Sequence, residues 1–163
     1  MKMNDLAVDW PRQYAATVPM PLPANAPQAA TAASDSTFAA LLGAYRAAGG
    51  IARKDEVLRR IAAARPHETR RSSDMPDRDG SVSFFWNGIQ WWPLFQFDGD
   101  MRVRPEVARI ARELAGVIAD WELALWFVTP NDWLGDALPI ACVSRQRDAT
   151  WRAARADRFI AVG

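Results

Sequence analysis

The chain has one cysteine and one histidine in 163 residues. Cys142 has no second thiol to pair with, so no internal disulfide is expected, and no His or Cys cluster has zinc spacing. A reduced, cytoplasmic location follows as the expectation. His67 alone is available as the base of a Ser-His-Asp or Cys-His mechanism, and it stands in a polar stretch ill suited to hold a catalytic geometry. No run of about 18 apolar residues occurs and acids interrupt the first ten positions, so neither a membrane-spanning helix nor a secretory signal is expected. Glycine-rich phosphate loops are missing as well. A formal net charge of +1 leaves no global field to draw the molecule onto nucleic acid or an anionic membrane. These absences point to a protein that is not an enzyme and uses no metal or cofactor.

What the chain does have is indole: eight tryptophans, with Trp91 and Trp92 adjacent inside "NGIQWWPLFQFDGD". Its length suits one ordinary core preceded by a tail. Residues 1–33 carry Pro19, Pro21, Pro23 and Pro27 among Ala, Gln and Thr, a composition too poor in apolar groups to offset chain ordering, and are expected to be disordered. The remainder is expected to divide into residues 34–98, a helical pair with a β-hairpin, and residues 99–163, a helical domain.

In the first part, Ser34, Asp35 and Ser36 offer caps, and Phe38, Leu41, Leu42 and Tyr45 recur at helical spacing until Gly49-Gly50. A second helix is expected over Arg53 to Ala64, closed by Pro66, and a polar loop follows. Asn87-Gly88 is the preferred centre of a two-residue hairpin turn. Val82 to Trp86 should therefore pair with Ile89 to Trp92, Trp86 opposite Ile89 and Phe84 opposite Trp91. One face is then wholly apolar. The other holds Ser83, Phe85, Gln90 and Trp92, and Trp92 is expected to meet a partner there. Pro93 should end the pairing. The whole reads as a mainly α fold with one short antiparallel β-hairpin, winged-helix-like in its N-terminal half.

Asp98-Gly99-Asp100 reads as an acidic turn, because Arg102 and Arg104 occupy the next positions a cation loop would need. Pro105 opens a helix with Val107, Ile110, Ala111, Leu114 and Ile118 inward. Asp120 should cap "WELALWFV", a helix apolar nearly all round and so buried on all sides or covered by a partner. A last helix is expected over Ser144 to Ala156, anchored by Trp151, with Asp148 paired to Arg152.

Basic residues gather between the first helix and the hairpin. Asp55 with Arg59 and Glu56 with Arg60 have the spacing and order of ion pairs on a solvated face. Arg53, Lys54, Arg70 and Arg71 are left as candidates to contact DNA phosphates.

Three stretches together, "WWPLFQFD", "DWELALWFVTPNDWLGDALPI" and "AARADRFIA", resemble the toxin-binding domain of bacterial Xre/MbcA/ParS-type antitoxins. The resemblance implies a small helical protein that neutralises a RES-type NAD-consuming toxin by covering its active-site entrance. Trp126, Asn131, Trp133, Leu134, Asp157, Arg158 and Phe159 are carried over as partner-binding positions, and Arg155 and Trp92 join them as further contact candidates. A homodimer is compatible with this reading. The chain departs from the family pattern in offering only two helices where a helix-turn-helix would stand, and in "IACVSRQRDAT" after Pro139. A DNA-binding regulator that uses the N-terminal half as a degenerate winged helix on promoter DNA is the alternative.

Overall fold

A computed structural model describes residues 35–66 and 80–163. The expected tail, the polar loop with His67, and Arg70 and Arg71 lie outside them. The described elements are α1 (Asp35–Tyr45), β1 (Ile51–Arg53), α2 (Lys54–Ala64), β2 (Phe84–Trp86), β3 (Ile89–Pro93), α3 (Pro105–Leu114), α4 (Asp120–Val128), α5 (Pro139–Cys142) and α6 (Arg147–Val162). The fold is mainly α with a small antiparallel sheet, as expected. The sheet has three strands rather than two, in the order β1-β3-β2.

The hairpin has the expected register, with Trp86 opposite Ile89 and Phe84 opposite Trp91. Both turn residues adopt positive φ, 49° at Asn87 and 73° at Gly88, which matches the right-handed twist of the strands. β1 is an addition to the expected elements: it follows Gly49 and Gly50 and runs antiparallel to β3 with Ala52 opposite Trp92. Pairing on that side reaches Pro93, which needs no N–H there, and Leu94 N continues by donating to Gly50 O at 2.9 Å.

Val82 lies outside β2. Gln96, fully buried, takes the place of a strand neighbour for it: Oε1 accepts from Val82 N at 2.8 Å, while Nε2 donates to Val82 O at 2.7 Å and Pro93 O at 2.8 Å. The polar residue of "FQF" is thus a buried backbone clamp with its amide satisfied on both sides.

The main core joins Phe38, Leu41 and Tyr45 of α1 to Phe84, to Val107, Ile110 and Leu114 of α3, and to Leu123 and Phe127 of α4. Residues on both sides of the expected division at 98–99 therefore share one core. Ring contacts organise it: Trp86 stacks on Phe38 at 3.9 Å, Trp121 meets Phe84 edge-on at 5.0 Å, and Phe95 lies between Tyr45 and Phe127. The Tyr45 hydroxyl donates to Ala124 O at 2.6 Å, and burial pushes its pKa well above the usual tyrosine value.

A second cluster corrects the expectation for Trp92. Ala52, Val57 and Ile61 close over it, so it is 3% exposed and faces α2 rather than solvent. The half-apolar face of the hairpin is covered from within the chain at its Trp92 end only. Phe85, 59% exposed, is the hairpin aromatic that remains outside.

The acidic turn is as expected, and its carboxylate is engaged by its own backbone: Asp98 Oδ1 accepts from Asp100 N at 3.0 Å and Arg102 N at 2.8 Å. Pro105 occupies the first turn of α3, whose stripe of Val107, Ile110, Ala111 and Leu114 is buried. Asp120 does not cap α4. Ala119 is the cap residue, and its N–H donates to Glu122 Oε2 at 2.9 Å. Asp148 reaches Arg109 of α3 at 3.5 Å instead of Arg152, and α6 runs six residues beyond the expected end at Ala156.

Candidate partner-binding site

α4 stops where Thr129, held extended ahead of Pro130, leaves the helical region. Asn131 then organises the loop. Its Oδ1 accepts from Trp133 N at 3.0 Å to cap the 3-10 turn Asp132–Leu134. Its backbone N–H donates to Ala137 O, and its backbone carbonyl accepts from Leu134 and Asp136. Gly135 and Asp136 both take positive φ to complete the reversal.

This loop is fastened to α6 by a single carboxylate. Asp157 Oδ2 accepts from Trp126 Nε1 at 2.7 Å and from Asn131 Nδ2 at 2.7 Å, and Oδ1 accepts from Trp133 Nε1 at 3.0 Å. Four of the candidate positions therefore converge on one charge-assisted network, with Leu134 half-buried in the same turn. Trp126 and Asn131 are largely covered. Trp133 is 59% exposed although its indole nitrogen is tethered.

Beyond Asp157, the last turns of α6 present Phe159, Ile160 and Val162 at 77%, 66% and 67% exposure. Phe159 is among the expected contacts. Ile160 and Val162 are not, because neither belongs to the motif positions carried over, although both extend the same helix. Arg158 is less free than expected: Nη1 donates to Glu113 O at 2.7 Å, fastening α6 to α3. The Arg155 guanidinium lies over the Trp151 ring at 4.9 Å. Trp92 is not part of this surface.

Of the DNA candidates, Arg53 lies over Trp91 at 5.3 Å. Lys54 borders a shallow groove of about 530 Å³ with Arg53, Leu58 and Phe85. Asp55–Arg59 (3.1 Å) and Glu56–Arg60 (2.8 Å) form as expected, and Glu56 also takes Arg59 at 2.6 Å. The Arg60 and Arg59 guanidinium groups hold the Glu56 carboxyl below the usual carboxylate range.

No protein-family model matches the chain, and no curated protein or solved structure matches it. No helix among the described residues is long and apolar enough to cross a membrane.

Proposed function

We propose that this chain is a protein-binding module of the antitoxin type, whose C-terminal region covers the active-site entrance of a RES-type NAD-consuming toxin. One observation carries the reading: an exposed tryptophan is fixed in place by Asp157, and the same helix exposes three more apolar side chains further along. Large apolar groups are hydrated unfavourably, so covering them with a partner lowers the free energy. A tethered indole also loses little conformational freedom on binding, which favours it as an anchor. The test is capture of the tagged full chain from its host lysate after nuclease treatment. A RES-domain protein retained stoichiometrically by the wild type and lost from Phe159→Asp supports the proposal; retention equal in both contradicts it.

A second reading, a DNA-binding regulator, is favoured by β1. Among the described residues it gives the N-terminal half a helix, a strand, a second helix and a hairpin, the elements of a winged helix without its third helix, with the Asn87-Gly88 turn in the place of the wing. This reading expects duplex binding that collapses as salt rises and weakens in Arg53→Ala/Lys54→Ala. Fold order alone carries no activity, so the first reading is preferred.

A further inference from the structure

α6 packs along α3, and the groove between them, about 510 Å³, is lined by Arg109, Arg112, Glu113, Trp151 and Arg158. Arg109 lies over the Trp151 ring at 3.7 Å and Arg155 lies over it at 4.9 Å, so one half-buried indole orders two guanidinium groups at the rim. Two of the arginines meet acids, Arg109 with Asp148 at 3.5 Å and Arg158 with Glu113 at 3.9 Å. Positive charge remains in excess along the groove. On α6, Arg155, Phe159 and Val162 follow one another at four- and three-residue steps, so the basic groove runs into the exposed apolar end of the helix.

We infer that this groove receives an acidic segment of the partner protein, one whose carboxylates meet Arg112 and Arg155 while neighbouring apolar side chains cover Phe159 and Val162. The inference rests on the partner-binding reading and names the chemistry of the partner's contact strand. Charge complementarity selects a polypeptide over a nucleic acid. Glu113 and Asp148 interleave with the arginines and would repel a continuous phosphate backbone, whereas a segment that carries acidic groups and then apolar ones matches both parts of the surface. Arginine suits the role because its planar fork takes a carboxylate through two parallel hydrogen bonds.

The probe is a short fluorescein-labelled peptide of glutamates and leucines, titrated against the full chain at low and high salt by anisotropy. The same peptide with lysines in place of glutamates and a single-stranded oligonucleotide of equal charge serve as comparisons. The glutamate peptide is expected to bind in preference to both. Arg155→Glu and, separately, Arg112→Glu should weaken it about tenfold or more, the loss of a charge-assisted contact, with Arg155→Lys intermediate. Both arginines are exposed, so each variant should melt with the wild type. Equal affinity for the lysine peptide, or no change in either variant, overturns the inference; tighter binding of the oligonucleotide overturns it in favour of a phosphate surface. Capture of a partner equally well by Arg155→Glu and wild type would refute the groove alone and leave partner binding intact.

Discussion

Trp133 Nε1 donates to Asp157 Oδ1 at 3.0 Å, so an indole that is more than half exposed is anchored at its polar edge. The same carboxylate takes Trp126 and Asn131 on its other oxygen. The loop after α4 and the outer helix α6 therefore meet at one acid. Replacing it tests how far the loop depends on the helix.

Asp157→Ala removes the acceptor of three N–H groups, two of them on largely covered side chains. The expected loss is about 2–4 kcal/mol in denaturant unfolding, since hydrogen bonds to a charged group contribute about 1.5–3 kcal/mol each and do not add fully. Asp157→Asn should recover part of it. A loss below about 0.5 kcal/mol, the range of an ordinary surface substitution, would show that the network does not hold the loop.

Gln96→Leu keeps the volume of the buried side chain and removes its three backbone contacts, leaving Val82 N, Val82 O and Pro93 O without it. Unsatisfied buried groups cost about 1–3 kcal/mol apiece, so this variant should lose at least about 2 kcal/mol. Equilibrium urea unfolding checks it.

Trp92→Ser and Phe85→Ser separate the covered from the uncovered part of one sheet face. The first empties a core position closed by Ala52, Val57 and Ile61 and should cost about 3–5 kcal/mol. The second changes an exposed ring and should stay within about 0.5 kcal/mol. Comparable melting losses for the two would contradict the burial of Trp92.

Tyr45 supplies a pH dependence. Its pKa in the folded chain is raised by burial, so the unfolded chain loses the phenolic proton first as pH passes about 10. The stability is fully present below that pH and is lost as pH rises towards the folded value. Tyr45→Phe should remove this alkaline slope, at a cost of about 1 kcal/mol at neutral pH from the hydrogen bond to Ala124 O. An unchanged slope in the variant would assign the alkaline loss elsewhere.

Local chemistry makes some elements legible in the sequence. Asn87-Gly88 specifies its own turn and hence the register of Phe84 and Trp91, and the period of Val107, Ile110 and Leu114 behind Pro105 specifies α3. β1 is not legible: three residues give no alternation, and Ile51 to Arg53 become a strand because β3 lies beside them. The burial of Trp92 depends on that strand and on α2, so a two-stranded hairpin puts it on the right face and leaves it uncovered. In the site, the resemblance points to Trp126, Asn131, Trp133 and Asp157, but only tertiary structure brings residues 24 to 31 positions apart onto one carboxylate. Asp148 illustrates the same limit: the helical spacing to Arg152 is present, and α3 offers Arg109 instead.

The central proposal is tested most directly by NAD consumption. The RES-domain protein captured with this chain would be freed of it and assayed for NAD loss while purified wild-type chain or Phe159→Asp is added back. Activity should fall to zero at a stoichiometric amount of the wild type and persist with the variant. NAD loss that continues unchanged under saturating wild-type chain would contradict the account.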